Sequence, residues 1–204
     1  MHGDITRGAI TYFQSIANYQ LYSYALDILF ISEFLIWLFT SSRLVRKKRE
    51  KRSDRGSIWI VILGFCASIY VSYYFREISD LVLPNIFFYI GVIMIIIGVI
   101  IRDLSVITLK KAFTLSVQVS KNQHLIKTGL YKYIRNPAYT GSIISLVGIA
   151  FAFRSVFAPI AVLIICMVCY GYRINVEEKA LRNQFKDEFD EYSKKTYKIF
   201  PFIW

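Results

Sequence analysis

Two stretches of the chain, residues 58–75 and 81–101, contain no charged side chain and consist mostly of apolar residues. A helix needs about 20 such residues to cross the roughly 30 Å hydrocarbon core of a bilayer. A third stretch, residues 21–40, has the same length and includes Asp27 and Glu33. The three stretches predict transmembrane helices and exclude a disordered chain, because they are too apolar to remain solvated.

Two further apolar stretches, residues 139–153 and 156–172, are separated only by Arg154 and Ser155. They predict a tight helical hairpin. Its first arm is short for a full crossing at about 1.5 Å per residue, so a re-entrant or tilted hairpin is an alternative. The sequence therefore predicts an all-α polytopic membrane protein with about five transmembrane helices and a C-terminal amphipathic helix in the cytosol.

The basic residues predict how the chain is oriented. There are 25 Lys and Arg against 14 Asp and Glu, a net charge of +11, and residues 43–55 contain eight basic and two acidic side chains. With this loop in the cytosol, 22 basic residues lie on the cytosolic side and three outside. The positive-inside rule thus predicts an external N-terminus and a cytosolic C-terminus.

The positive charge suits either nucleic acid or an anionic membrane as a partner, and the apolar stretches favour the membrane. We therefore expect no nucleic-acid partner. The loop either binds anionic lipids or only fixes the topology. We expect one integral membrane domain over residues 1–204, with a three-helix region at 1–102 and a second region, which carries the candidate site, at 103–204. Nothing in the sequence indicates the oligomeric state.

Neither a metal site nor a disulfide framework is expected from the sequence. The chain has only two histidines, and its three cysteines lie in apolar stretches, where packing is the simpler role. Gly141, Ser145, Gly148 and Ala152 recur at helical spacing, which predicts close approach of a second helix. The intramembrane Glu33 and Asp27 indicate either a functional site or hydrogen bonds between helices.

The tail, residues 173–194, is predicted to be a helix with one apolar stripe. Glu177 and Glu178 project beside this stripe, and Arg173 lies four residues before Glu177, within reach of it. The carboxylates either close an Arg–Glu pair at the start of the helix or line a pocket for a cationic ligand. The stripe consists of Ile174, Leu181, Phe185, Phe189 and Tyr192.

The segment 123–139 precedes the hairpin. Gly129 permits a tight turn, and Asn136 with Pro137 starts the next helix, where free backbone N–H groups can receive a carboxylate. Three tyrosines in this segment offer flat ring faces for a purine or a sulfonium. Since the segment faces the acidic helix across a short hairpin, we expect the two to form a bipartite pocket on the cytosolic side.

Three motifs in this order resemble the isoprenylcysteine carboxyl methyltransferase family of membrane enzymes. They are G-L-Y-K-Y-I-R-N-P-A-Y at residues 129–139, R-x-x-x-E-E at 173–178 and F-P-F-I at 200–203. The resemblance implies a cytosolic S-adenosylmethionine site and a lipophilic acceptor that enters from the bilayer. It further implies methyl transfer to an isoprenylcysteine-type carboxylate.

Site residues are implied by the same resemblance. Arg173 matches the arginine on the substrate side and is the expected catalytic residue. The expected cofactor contacts are Gln123, His124, Leu125, Ile126, Tyr131, Asn136, Pro137, Ala138, Tyr139 and Glu177. Asn136 stands where the family usually has a histidine, and it keeps hydrogen-bonding capacity without being able to become cationic.

Alternative functions remain open. Related membrane enzymes methylate phospholipid amines or other small acceptors. A membrane lipid reductase that uses a nicotinamide cofactor is a rival, with Lys127, Lys132 and Arg135 as candidate phosphate contacts. A non-catalytic adaptor that acts through the polybasic loop is another.

Overall fold

The computed structural model describes residues 12–44, 56–109 and 125–201. In these ranges the chain is a helical bundle, with two isolated β-bridges. A 3₁₀ turn spans Gly129–Lys132. The helices are α1 (Ile16–Leu44), α2 (Ser57–Ile78), α3 (Ile86–Leu109), α4 (Pro137–Ala152), α5 (Ala158–Phe185) and α6 (Asp187–Lys194).

Four of the described helices, α1, α2, α3 and α5, are long and apolar enough to cross a membrane. α4 is apolar but has only 16 residues, about 24 Å of helix, which is short for a perpendicular crossing. Large apolar side chains face outward along the long helices, as expected for contact with lipid. The predicted all-α membrane architecture is confirmed, with four long helices and one short one.

Small residues hold α3 and α4 in close contact. A Cβ atom added to Gly98 would lie 2.5 Å from the carbonyl oxygen of Gly141, and one added to Gly91 would lie 2.3 Å from the backbone nitrogen of Ala152. The predicted packing role of the small residues in α4 is therefore confirmed. Their partners are the glycines of α3, which let the two backbones touch.

α5 pairs with α2 in a similar way. A Cβ atom added to Gly64 would lie 2.8 Å from the Cβ of Cys169, and the Ser68 hydroxyl lies 3.8 Å from the sulfur of buried Cys166. These two cysteines pack between helices, as expected. α1 packs chiefly against α3 and also touches α2 through the rings of Phe30 and Phe65, 6.2 Å apart.

Two predicted boundaries are wrong. The third helix begins at Ile86 rather than residue 81, because Pro84 and the β-bridge between Val82 and Ser155 keep the preceding residues extended. The tail does not form a separate helix over 173–194. Instead α5 continues from the bundle to Phe185, and α6 follows after Lys186.

The break between α5 and α6 lies at Lys186, whose φ of 45° belongs to a region that favours glycine. α6 then folds back so that Phe189 and Tyr192 are buried. We call one end of the bundle the site end. α1 and α3 end there, and α2 and α4 begin there. α5 extends beyond the bundle at this end.

Candidate functional site

At the site end, the start of α4 meets the last third of α5. The Tyr139 hydroxyl donates a hydrogen bond to Oε1 of Glu177 at 2.8 Å. Arg173 lies one helical turn before Glu177, and its Nη2 is 2.8 Å from the same carboxylate oxygen. Two of the motifs found in the sequence are thus in direct contact across the hairpin, on the same side of the bundle.

Arg173 is almost fully buried and links three helices. Its Nε donates to the Tyr139 hydroxyl of α4 at 3.1 Å, and its Nη1 donates to the Ser57 hydroxyl of α2 at 2.7 Å. The Glu177 side chain is 25% exposed, against 3% for that of Arg173. We call Ser57, Tyr139, Arg173 and Glu177 the Tyr139 cluster. Its carboxylate is the member most accessible to a ligand.

A small, partly open cleft lies beside the Tyr139 cluster. It is enclosed by the end of α3, the segment before α4, the end of α5 and α6. One part of the wall is polar, formed by Arg135, Asn136 and Glu178. The rest is aromatic or aliphatic and comprises Leu109, Leu125, Ile126, Tyr131, Leu181, Phe185, Phe189 and Tyr192.

The polar wall is held together by Glu178. Its Oε1 accepts hydrogen bonds from Nε of Arg135 at 3.0 Å and from Nδ2 of Asn136 at 3.2 Å. Asn136 and Glu178 are both buried. Because this carboxylate is already engaged by two donors, it fixes the residues before α4 rather than offering a free acceptor.

The residues after α6, 196–201, lie across the start of α4, and we call them the C-terminal strap. Asn136 Nδ2 also donates to the carbonyl of Lys198 at 3.0 Å, and the Thr140 hydroxyl donates to that of Ile199 at 2.7 Å. The backbone N–H of Tyr197 donates to the carbonyl of Tyr133 at 2.9 Å. The strap therefore holds the turn before α4 in position.

Burial sets the protonation state of the cleft tyrosines. It raises the pKa of Tyr131 well above its ordinary value, and the negative charge of Glu177 adds to this effect. Burial also raises the pKa of Tyr192 to about 12. The Tyr192 hydroxyl donates to the carbonyl of Tyr131 at 2.7 Å. Both tyrosines therefore remain neutral at physiological pH.

The predicted site residues fall into two neighbouring groups. Leu125, Ile126, Tyr131 and Asn136 line the cleft. Pro137 and Ala138 are buried at the start of α4, and Tyr139, Arg173 and Glu177 belong to the Tyr139 cluster. Gln123 and His124 lie outside the described residues.

Three further side chains at the site end were not among the site residues that the family resemblance implied. Glu178 and Arg135 form the polar wall of the cleft, and Ser57 binds Arg173 from α2. The paired glutamates in the sequence gave a signal for Glu178. No local pattern marks Ser57, because its role depends on the packing of α2 against α5.

The basic side chains proposed for a phosphate site each have a partner of their own. Lys127 lies 2.8 Å from Glu188, Arg135 is bound by Glu178, and the ammonium of Lys132 lies over the ring of Tyr133. This arrangement gives no particular support to a nicotinamide reductase.

Comparisons with known proteins agree with this geometry. The sequence model of the family described as "Phospholipid methyltransferase" matches residues 86–188, about half of the chain. The chain belongs to the phospholipid methyltransferase family. The match runs from the start of α3 into α6. It includes Tyr139, Arg173 and Glu177 of the Tyr139 cluster and most of the residues that line the cleft.

Curated relatives within this family are isoprenylcysteine methyltransferases. The "Probable protein-S-isoprenylcysteine O-methyltransferase" of Oryza sativa subsp. japonica is 35% identical over 117 residues, which are 56% of this chain and 61% of the relative. The "Protein-S-isoprenylcysteine O-methyltransferase B" of Arabidopsis thaliana is 30% identical over 115 residues, which are 55% of this chain and 58% of the relative. The match thus spans about three-fifths of these relatives, and the predicted family resemblance is confirmed.

A solved structure supports the fold along most of the chain. It is that of the eukaryotic intramembrane Ras methyltransferase, an isoprenylcysteine carboxyl methyltransferase. The TM-score is 0.64 at 20% identity, covering 91% of this chain and 68% of the other. At this identity the likeness establishes a shared fold, and it agrees with an integral, multi-pass membrane protein.

Proposed function

We propose that this family member is a membrane methyltransferase that uses S-adenosylmethionine to methylate the carboxylate of a lipophilic, isoprenylcysteine-type acceptor. The observation that carries the proposal is the contact between Tyr139, Arg173 and Glu177 beside the cleft, at one end of an apolar helical bundle. This arrangement offers a polar site for the donor next to a lipid-facing route for the acceptor.

The side chains that line the cleft suit the chemistry of the proposed methyl donor. The aliphatic and aromatic wall, including Ile126 and Phe185, suits an adenine ring. Glu177, the more exposed of the two glutamates, suits the ammonium group or the ribose hydroxyls. Ala138 is in the first turn of α4, where N–H groups lack helical acceptors and suit a carboxylate.

S-adenosylmethionine supplies an activated methyl group on a sulfonium. The chain then has to bind the two reactants, align them and exclude water. Arg173 orients the acceptor's carboxylate through its planar guanidinium, whose position is fixed by Ser57, Tyr139 and Glu177. A carboxylate acceptor is ionised at pH 7, so it needs no general base.

The proposed acceptor enters from the bilayer, and the proposed site faces the cytosol, as the distribution of basic residues favours. The polybasic loop, residues 43–55, lies almost entirely outside the described residues, and its contact with anionic lipids remains a prediction. We expect no nucleic-acid partner.

A second candidate is methylation of a phospholipid amine, which the description of the matched family favours. An amine must lose a proton before it can attack, and Glu177 is the closest carboxylate to the Tyr139 hydroxyl. The donor site would be the same in both cases. The two candidates differ in the product, an ester in the first and a methylated amine in the second.

The test is to incubate the purified chain, in nanodiscs of mixed zwitterionic and anionic lipid, with methyl-labelled S-adenosylmethionine and a prenylated cysteine derivative. The proposal predicts that the prenylated cysteine carries the label. Mild base should release this label as methanol, because esters hydrolyse under these conditions. Label on a phospholipid amine would support the second candidate, and absence of both products would contradict the two.

A further inference from the structure

A second arginine that binds a carboxylate of another helix is Arg102 on α3, whose side chain is 13% exposed. Nη2 of Arg102 donates to Oε2 of Glu33 on α1 at 2.7 Å, and its Nε lies 2.5 Å from the other carboxylate oxygen. Arg102 is seven residues before the end of α3, about 10 Å from that end of the helix. An ionisable pair at this depth is costly to desolvate and indicates function by default.

The two partners are held with different rigidity. Arg102 lies in the tight contact of α3 with α4, since a Cβ atom added to Gly141 would lie 2.7 Å from the Arg102 nitrogen. Its Nη1 also donates to the Ser142 hydroxyl at 2.8 Å. Glu33 belongs to α1, which packs chiefly on α3. Its side chain is 28% exposed, against 13% for Arg102. The carboxylate is therefore the partner that is easier to displace.

Polar contacts connect Arg102 to the Tyr139 cluster. Ser142, which Arg102 binds, contacts Tyr170 of α5. The ring of Tyr170 lies 5.4 Å from that of Tyr139, measured between centroids. A continuous row of polar and aromatic side chains thus runs across the bundle from Glu33 to Glu177, with Arg102 near the α1 edge.

We propose that Arg102 binds the carboxylate of the lipophilic acceptor, which takes the place of Glu33 on the guanidinium. The inference rests on the proposed function in its choice of ligand, and it adds a carboxylate-binding position at the α1 side of the site. There the acceptor meets a cation on its way to Arg173. Exchange of one carboxylate for another leaves the guanidinium paired throughout, which avoids the cost of an isolated, desolvated cation.

An ammonium ligand suits this position less well. It would have to pair with Glu33 and thereby bring a second cation beside Arg102, at a depth where like charges repel strongly. The guanidinium of Arg102 is held in position by Ser142 and by the contact between α3 and α4. Its N–H groups are therefore already oriented to bind a planar carboxylate. The contacts of Arg102 therefore favour an acidic acceptor.

The test measures equilibrium binding of a prenylated cysteine acid and of its methyl ester to the full chain in detergent, without methyl donor. The wild-type chain is expected to bind the acid at least about tenfold more tightly than the ester. Replacing Glu33 with Gln should tighten binding of the acid several-fold, because the competing carboxylate is gone. The double variant E33Q/R102M removes both charges, so that neither remains shielded and unpaired. It should lose most of the preference for the acid, because only Arg173 is left to bind a carboxylate.

Asp103→Asn is the matched control, because Asp103 accepts a hydrogen bond from Ser32 of α1 at 2.6 Å in the same helix contact. This variant should keep the preference for the acid. Equal binding of acid and ester to the wild-type chain would overturn the inference. A preference that is undiminished in E33Q/R102M, or one that is lost in Asp103→Asn, would overturn it as well. The binding measurement requires no methyl transfer. If the chain selects the acid through Arg102 but transfers no methyl group, the inference about Arg102 stands and only the proposed function is contradicted.

Discussion

Glu177 and Glu178 are neighbours in sequence, yet they point to different parts of the site. Glu177 accepts hydrogen bonds from Tyr139 and Arg173, while Glu178 accepts them from Arg135 and Asn136. Consecutive residues on a helix are about 100° apart, so one carboxylate lies in the Tyr139 cluster and the other in the polar wall of the cleft. We infer a ligand-binding role for the first and a structural role for the second.

We predict that Glu177→Gln weakens binding of S-adenosylmethionine about tenfold, because charge-assisted hydrogen bonds to the ligand are lost. Isothermal calorimetry of the purified chain in detergent measures this change. Glu188→Gln is the matched control, since Glu188 is exposed and pairs only with Lys127 among the ion pairs described for it. Equal affinity of wild type and Glu177→Gln would remove Glu177 from the donor site.

Tyr192 allows a test of stability against pH. Its pKa is raised from 10 to about 12 by burial, so the folded chain favours the neutral form. The stability gained from this shift is fully present below pH 10 and is lost as the pH rises from 10 to about 12. Tyr192→Phe should be about 1 kcal/mol less stable at pH 8, because its hydrogen bond to the Tyr131 carbonyl is lost.

Thermal unfolding in detergent from pH 8 to 12 checks both parts of this prediction. The difference in stability between wild type and Tyr192→Phe should shrink as the pH approaches 12. A difference that stays constant across the range would show that Tyr192 does not titrate with folding.

At the scale of the elements, α4 serves both the membrane bundle and the site. Its small residues contact α3, and its first turn carries Asn136 and Tyr139 to α5. The close contact with α3 fixes the position of α4, and the C-terminal strap fixes the turn before it. A change in the helix contact should therefore affect the stability of the whole bundle.

We predict that Gly98→Ala destabilises the chain by about 1–3 kcal/mol, because its Cβ would lie 2.2 Å from the Ser145 hydroxyl and 2.5 Å from the Gly141 carbonyl. Thermal unfolding in nanodiscs measures the loss. Ile93→Ala on the same helix is the control, since Ile93 is 57% exposed and faces lipid. Gly98→Ala with wild-type stability would contradict the close contact of α3 and α4.

Apolar length and small-residue spacing were sufficient to predict the helices of this bundle, with errors at several boundaries. The break at Lys186 was not predictable, because no glycine or proline marks it and tertiary packing of Phe189 imposes it. The contact between Tyr139 and Glu177 was predicted as a shared pocket from the two motifs. The partners of Glu33 and Arg173 in other helices were not, since they depend on which helices pack side by side.

At the scale of the whole molecule, the polar groups of the proposed site lie together at one end of the bundle. The opposite end carries Arg154, whose Nε donates to the carbonyl of Leu83 at 2.8 Å and ties the hairpin turn to the start of α3. The bundle is thus asymmetric along its axis. The basic residues are distributed with the same asymmetry, which predicts that the site end faces the cytosol.

Labelling of single added cysteines tests this orientation. Lys179→Cys lies on an exposed position of α5 near the site end, and Asp80→Cys lies exposed between α2 and α3 at the opposite end. A membrane-impermeant thiol reagent added to intact cells should label Asp80→Cys at once and Lys179→Cys only after permeabilisation, with the wild-type chain as background. The reverse pattern would contradict the predicted orientation.

The central claim is that the cleft and the Tyr139 cluster together hold the methyl donor. Ultraviolet cross-linking of labelled S-adenosylmethionine to the purified chain, followed by peptide mapping, tests it most directly. We predict label in peptides that contain residues 125–139 and 173–192, competed away by excess unlabelled donor. Label confined to α1 and α2, or label that unlabelled donor does not displace, would contradict the account.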